Sequence, residues 1–214
     1  MLRADARDNR DRTLEAAREL FAELGLGVTM RDIARRAGVG PATVYRRFPT
    51  KRHLVVEVFT DEMRACRAVV DDACADPDPW RGFRTVVEEL TALNVENRAF
   101  VDVLLSANPD LEMLADHRTD LLRELAGLAA RAQVAGDLRP DFVVDDLVLV
   151  LLAARALSSR PSPDRTAAAR RLAALAIDAF RTSDANRPLP RAPRLSLRRS
   201  GRRPDGTLVR DQKR

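Results

Sequence analysis

The chain has 214 residues, of which 45% are hydrophobic and only 4% aromatic. It is rich in Ala, Leu and Arg, which favour helices, and it lacks the aromatic and β-branched residues that a β-rich fold needs. The net charge of +5 is unevenly distributed: residues 1–59 carry +4, residues 60–184 carry −7 and residues 185–214 carry +8. The two ends therefore suit a polyanionic partner, and the middle does not.

The two cysteines and the hydropathy pattern bear on the cellular compartment. Cys66 and Cys74 lie in one predicted helix, where their separation spans about 12 Å at about 1.5 Å per residue, too far for a disulfide. The N-terminus lacks an apolar signal core, and no apolar run reaches the length of a membrane span. We therefore expect a reducing, cytoplasmic compartment and no membrane partner.

Apolar residues recur at helical spacing over most of the chain, and glycines and prolines separate the segments. Gly25 and Gly27 end the first helix, because glycine tolerates the left-handed conformation common at helix ends. The first nine residues are charged, and we expect them to be frayed. The predicted helices cover residues 9–24, 30–37, 41–48, 51–74, 80–97, 100–106, 110–135, 141–159 and 164–182.

A run of cap and turn residues predicts short helices joined by a tight turn. Thr29 and Asp32 predict a capping box at the start of one helix, and Gly38 predicts its end. Pro41 suits the first position of the next helix, since the N–H that proline lacks would have no partner there. Thr50 predicts the cap of a third helix. This is the arrangement of a helix-turn-helix DNA reader.

Two later segments carry signals of their own. The helix over residues 141–159 is apolar nearly all round, which is hard to bury within one small monomer, so we expect a dimer seam there. Residues 185–214 hold four prolines, few large apolar residues and ten cations, so we expect a disordered basic tail.

Residues 10–55 resemble the N-terminal domain of TetR-family transcriptional regulators. The run TMRDIARRAGVGPATVYRRFPTK, from Thr29 to Lys51, follows the family pattern nearly position by position. This resemblance covers about a quarter of the chain, and residues 80–180 resemble the SbtR-like C-terminal type. It implies an all-α fold with an N-terminal three-helix domain that contains the helix-turn-helix, residues 1–55, and a C-terminal helical bundle for ligand binding and dimerisation, residues 56–184.

The short helix after the turn is the candidate base reader, because a helix of about two turns fits the major groove of DNA. The methyl groups of Ala42 and Thr43 suit a thymine methyl group. Arg46 or Arg47 suits a bidentate contact with guanine. Arg31, near the start of the preceding helix, is a second candidate for reading bases.

The resemblance also implies that Tyr45, Lys51 and Thr29 contact phosphates. Alternatives stay open: Tyr45 can be a core residue with its hydroxyl at the rim, and the arginines can be ordinary solvated cations. The candidate DNA-binding residues are Thr29, Arg31, Pro41, Ala42, Thr43, Tyr45, Arg46, Arg47 and Lys51.

The resemblance further implies an effector pocket inside the bundle formed by residues 51–135. Apolar side chains on the predicted inner faces are candidates for its lining, and the alternative is that each belongs to the ordinary core. The effector is then an unidentified small molecule of apolar or amphipathic character. The candidate lining residues are Trp80, Phe83, Val87, Leu90, Phe100, Leu104 and Met113.

The sequence lacks a catalytic or metal-binding constellation. His53 and His117 are far apart, and no nucleophile elbow, P-loop or dinucleotide fingerprint is present, so we expect neither an enzyme nor a cofactor. We expect a homodimeric transcriptional regulator, a ligand-released repressor that binds a palindromic operator in double-stranded DNA. The alternative is a helical adaptor that binds nucleic acid without sequence preference through its basic tail.

Overall fold

The structure is a computed structural model that describes residues 2–104, 112–158 and 164–192. Within these residues the chain forms ten α-helices, and the only β-type pairing is one antiparallel bridge between Leu138 and Arg181. The expected all-α fold is confirmed. The helices are α1 (Leu2–Leu24), α2 (Met30–Ala37), α3 (Pro41–Arg47), α4 (Lys51–Val58), α5 (Thr60–Ala75), α6 (Pro79–Glu96), α7 (Arg98–Leu104), α8 (Glu112–Val134), α9 (Val144–Ser158) and α10 (Arg165–Phe180).

The helices form two packed groups, which we call the head (α1–α4) and the body (α5–α10). In the head, α1 packs against α2 and α4, and α2 packs against α3. In the body, α6 is the central helix and packs against α5, α8, α9 and α10. No helix in the described ranges is both long enough and apolar enough to cross a membrane.

Two helices differ from the expectation. α1 begins at Leu2 rather than near residue 9, so the charged start of the chain is helical. The predicted helix over residues 51–74 is interrupted at Phe59, whose backbone angles are φ −106° and ψ 15°. Next to it, the hydroxyl of Thr60 donates to the carbonyl oxygen of Val56 at 2.9 Å, a contact that bends helices. The expected single helix is therefore divided into α4 and α5.

Three phenylalanine rings join the head to the body. The ring of Phe59 stacks on Phe21 of α1 with centroids 6.1 Å apart, and it lies 5.9 Å from Phe100 of α7. All three side chains are buried. Helix α7 packs against α1, so we call the end of the body that carries α7 the near end. We call the opposite end, which carries the turn between α5 and α6, the far end.

The start of the predicted tail is ordered. Arg139, which is 6% exposed, donates to the carbonyl oxygen of Arg187 at 2.7 Å, and the N–H of Leu189 donates to the carboxylate of Asp141 at 2.8 Å. Polar contacts distant in sequence therefore connect the first residues of the predicted tail, which have no apolar pattern, to the body. The rest of the predicted tail, from residue 193, lies outside the described residues.

Candidate nucleic-acid interface

The start of α2 is a complete capping box. The hydroxyl oxygen of Thr29 accepts from the N–H of Asp32 at 3.2 Å, and both the hydroxyl and the N–H of Thr29 donate to the Asp32 carboxylate, at 2.6 and 3.2 Å. These hydrogen bonds lower the pKa of Asp32. The expected cap is present. Within it, both hydrogen-bond donors of Thr29, its hydroxyl and its N–H, are bound to Asp32. A phosphate contact from this residue has to compete with Asp32.

The turn between α2 and α3 has the geometry that its residues predict. Gly38 has φ 66°, the left-handed conformation that glycine tolerates, and its N–H donates to the carbonyl oxygens of Ala34 and Arg35. Pro41 opens α3 after Gly40. The turn therefore fixes how α3 leaves α2.

A side chain from α1 also holds this turn. The guanidinium of Arg12 donates to the carbonyl oxygen of Ala37 at 2.6 Å and to that of Gly38 at 3.3 Å. A cation suits the C-terminal end of a helix, where carbonyl groups lack partners. Only the fold brings Arg12 to this position, so no local signal in the sequence marks its role.

One side of α3 anchors the helix and the other faces outward. Val44 and the adjoining Phe48 are 1% exposed and lie in the core. Tyr45 is 46% exposed, so its ring is part of the surface rather than of the core. Thr43 is half-buried, and the other candidate readers on this helix are exposed: Pro41, Ala42, Arg46 and Arg47.

The arginines of the head fall into two groups. Several are neutralised by acidic neighbours: Arg35 pairs with Asp32 at 2.7 Å, and Arg36 pairs with Glu19 and Glu23, each at 3.0 Å. In contrast, three candidate readers are exposed and form no ion pair with any residue that the structure describes. These three are Arg31, Arg46 and Arg47.

Lys51 begins α4, and the adjoining Thr50 caps that helix as expected. The Thr50 hydroxyl accepts from the N–H of His53 at 3.3 Å. The ammonium group of Lys51 donates to the carbonyl oxygen of Leu26, in the turn that follows α1. An ammonium group has three donors, so this contact leaves Lys51 able to reach a phosphate as well. Lys51 therefore remains a candidate phosphate contact.

The candidate pocket residues belong to the packed interior. Trp80 and Phe83 stack with centroids 5.8 Å apart at the far end of the body, where Phe83 also meets Phe142 at 5.1 Å. Val87, Leu90 and Phe100 are part of the same core, and Leu104 is partly buried against it. The side chain of Met113 lies outside the described residues. In this structure these six side chains are part of the hydrophobic core or pack against it. The ring contacts of Phe83 with Trp80 and Phe142 give that side chain a packing role.

The sequence matches two family models that cover most of the head and the body. Residues 14–58 match the model of bacterial regulatory proteins of the tetR family. Residues 78–182 match the C-terminal domain of SbtR-like transcriptional regulators. The resemblance expected for both regions is therefore confirmed.

Individual proteins agree with these models. The transcriptional repressor KstR of Mycobacterium tuberculosis is 29% identical over 134 residues, and the match spans 61% of this chain and 61% of KstR. An HTH-type regulator of Mycobacterium bovis, Mb2274c, is 32% identical over 137 residues, 61% of this chain and 68% of that protein.

Solved structures share the fold. The TetR regulator SCO0520 of Streptomyces coelicolor is 30% identical with a TM-score of 0.51, and the match covers 81% of this chain and 99% of that one. A tetR-family protein from Rhodococcus RHA1 has a TM-score of 0.66 at 24% identity, over 82% of this chain and 98% of that one. The chain therefore belongs to the TetR family of bacterial transcriptional regulators, which bind DNA and are not enzymes.

Proposed function

We propose that this chain is a homodimeric repressor whose α3 reads a palindromic operator in the major groove. The observation that carries the proposal is the outward face of α3, where Arg46 and Arg47 are exposed and have no acidic partner in the described part of the chain. Arg35 and Arg36, on α2, are paired. Unpaired arginines on a groove helix are free to contact guanine or phosphate. The cytoplasm, where bacterial DNA lies, is the compartment that this function implies.

The surface of α9 and α10 supports the proposed dimer. Leu149 on α9 is 40% exposed and Leu175 on α10 is 56% exposed. Each belongs to an apolar stripe of residues that are exposed or half-buried. The stripe on α9 contains Leu149, Leu152, Ala153 and Ala156, and that on α10 contains Ala168, Leu172, Leu175 and Ala179. The two helices are in contact, and in the proposed dimer a second copy of the chain covers both stripes.

The proposed control by a small molecule requires a route from the body to the head. The contact of Phe59 with Phe21 and Phe100 supplies one, since it joins α1, the α4–α5 interruption and α7. An effector that binds the body shifts the dimer only if it favours the arrangement that fits the operator less well. KstR, a relative of this chain, is a repressor, and in a repressor of this kind the effector would release the protein from DNA.

DNA binding with and without the basic tail tests the proposal against the adaptor alternative. The shortened chain should end at residue 192, because Arg187 and Leu189 are hydrogen-bonded to the body. We expect the shortened protein to keep its preference for one duplex sequence and to show a smaller dependence of affinity on salt. Loss of all binding on removal of residues 193–214 would instead favour the adaptor.

A further inference from the structure

The structure assigns to Thr91 and Asn94 of α6 a binding site for a hydroxyl group of the effector, which makes the effector a neutral, mostly apolar molecule with a hydroxyl. This inference rests on the proposed function, because it names the chemical class of the effector of that regulator. It adds two polar side chains in the last turns of α6 to the apolar residues expected to line the pocket.

Thr91 lacks a hydrogen bond that most other helical threonines in the described part of this protein make. Four of them, Thr13, Thr60, Thr85 and Thr119, donate their hydroxyl to the carbonyl oxygen four residues earlier, at 2.6–3.1 Å. Thr91 is 0% exposed, and its hydroxyl has no partner among the residues that the structure describes. A buried hydroxyl that lacks even this local bond is destabilising and therefore needs an explanation.

Asn94 lies nearly one turn further along α6 and carries the second unsatisfied group. Its amide Nδ2 donates to the carbonyl oxygen of Leu151 in α9, which fixes the orientation of the side chain. Its Oδ1 has no partner among the described residues, and the residue is 1% exposed. Residues three apart lie side by side on a helix, so the side chains of Thr91 and Asn94 lie on the same face of α6.

The two unsatisfied groups lie at the near end of the body. The C-terminal end of α6 is placed there by Asn97, which donates to the carboxylate of Glu62 at 2.8 Å in the first turn of α5. Oε2 of Glu62 and Nε2 of His117, in the second turn of α8, are also buried atoms without a described partner. The far end, by contrast, is closed by stacked aromatic rings around Phe83. Several buried polar atoms without a described hydrogen-bond partner therefore lie at the end of the body beside α7 and the head.

The chemistry of the two atoms selects the ligand group. Oδ1 of Asn94 only accepts hydrogen bonds, whereas the hydroxyl of Thr91 both donates and accepts. A ligand hydroxyl that donates to Asn94 and accepts from Thr91 satisfies both. A carboxylate would face the oxygen of Asn94 without a proton to give, and the arginines nearby are engaged: Arg155 with the carboxylate of Asp102, and Arg118 with the carbonyl oxygen of Leu104.

The side chains beside the pair on α6 are apolar, and they favour an apolar group next to the ligand hydroxyl. The buried positions that flank the pair on α6 are Val87, Leu90 and Val95, and Ala154 is fully buried on the facing helix α9. These side chains offer no hydrogen bond to a second polar group. An effector of this class therefore gains its affinity from apolar burial and its selectivity from one hydroxyl, because a site built for a hydroxyl discriminates against analogues that lack it.

Thermal unfolding of the full chain with two matched probes tests the assignment. The probes are octan-1-ol and 1-methoxyoctane, which share an alkyl chain but differ in the ability to donate a hydrogen bond. We expect octan-1-ol to raise the Tm of the wild-type protein by about 3 °C at saturating concentration, and the ether to raise it far less. Thr91→Val should abolish the response to octan-1-ol, and Thr91→Ser should preserve it.

Thr85→Val is the matched control, because it makes the same chemical change on an exposed position of the same helix, and it should leave the octan-1-ol response unchanged. Equal responses to alcohol and ether, no response to either, or an undiminished response in Thr91→Val would overturn the assignment. If Thr91→Val does not fold, the alcohol–ether comparison on wild type and Thr91→Ser decides. Operator binding is measured separately on the same samples. A failure to bind the operator would count against the proposed function, and a failure of the alcohol response would count against the hydroxyl site.

Discussion

The guanidinium of Arg12 donates to the carbonyl oxygen of Ala37 at 2.6 Å and thereby joins α1 to the C-terminal end of α2. A second bond from the same nitrogen reaches the carbonyl oxygen of Gly38. These bonds hold the turn whose left-handed glycine sets the direction of α3. Arg12 therefore positions the reading helix without belonging to it.

Arg12→Met should weaken DNA binding and lower the free energy of unfolding by about 1 kcal/mol, because it removes charge-assisted hydrogen bonds to helix-end carbonyls. Arg7→Met is the control, since it removes the same charge from an exposed position on α1. Urea unfolding and fluorescence anisotropy with labelled duplex DNA measure the two effects. Equal losses in both variants would show that charge alone, rather than the turn contact, is responsible.

Gly82 and Gly127 should respond to alanine with opposite signs. A β-carbon at Gly82 in α6 would overlap the carbonyl oxygen of Ala73 in α5, so Gly82→Ala should destabilise the protein by about 1–3 kcal/mol. Gly127 lies within α8 with open space around it, so Gly127→Ala should stabilise by about 1 kcal/mol through helix propensity. Thermal unfolding of both variants checks this, and a shift of the same sign in both would contradict the packing described for α5 and α6.

Local signals in the sequence predicted the features that depend on neighbouring residues. The cap at Thr29, the turn at Gly38 and the start of α3 at Pro41 all depend on backbone chemistry within a few residues, and all three are present. The exposed position of Tyr45 follows from helical spacing once Val44 and Phe48 are known to be buried. The all-α class of fold was predictable too, because helical spacing of apolar residues is also a local signal.

Features that depend on distant contacts were not predictable. The interruption at Phe59, the contact of Arg12 with the turn and the segment held by Arg139 each involve partners brought together only by the fold. Thr91 and Asn94 did leave a signal, because they are polar residues on the apolar face of α6. Two of the predicted pocket residues, Trp80 and Phe83, are instead packed together.

The carboxylate of Asp141 should make the ordered start of the tail sensitive to acid. Hydrogen bonds from Arg139 first, and from the N–H of Leu189, lower the pKa of Asp141 to about 2 from an ordinary value of 3.8. A lowered pKa favours the ionised form in the folded state, so this stabilisation is complete above about pH 4 and is lost as the pH falls towards 2.

Asp141→Asn should therefore lower the Tm at neutral pH and reduce its dependence on pH between about 4 and 2. It should also speed trypsin cleavage of the bond after Arg191, because the contacts of Asp141 with Leu189 and Arg139 are weakened. Asp184→Asn, an exposed change of equal charge, is the control for both readouts. Trypsin digestion that proceeds equally in the two variants would contradict the role given to Asp141.

Tyr45→Phe should weaken binding to all duplex sequences by a similar factor, about 1 kcal/mol, because it removes one hydroxyl that the proposed function directs to a phosphate. Its ring is exposed, so the fold should be unaffected. Anisotropy titrations on the operator and on unrelated duplexes measure this. A loss confined to one sequence would assign Tyr45 to base reading instead.

Selection of bound sequences from a randomised duplex library tests most directly whether the outward face of α3 reads DNA. Wild-type protein should select a palindrome with half-site centres about 34–36 Å apart. Arg46→Ala or Arg47→Ala should relax the preference at one base position in each half-site, whereas Arg35→Ala, whose side chain is paired with Asp32, should leave the preference intact. Recovery of no preferred sequence by the wild-type protein, or an unchanged preference in both the Arg46 and Arg47 variants, would contradict this account.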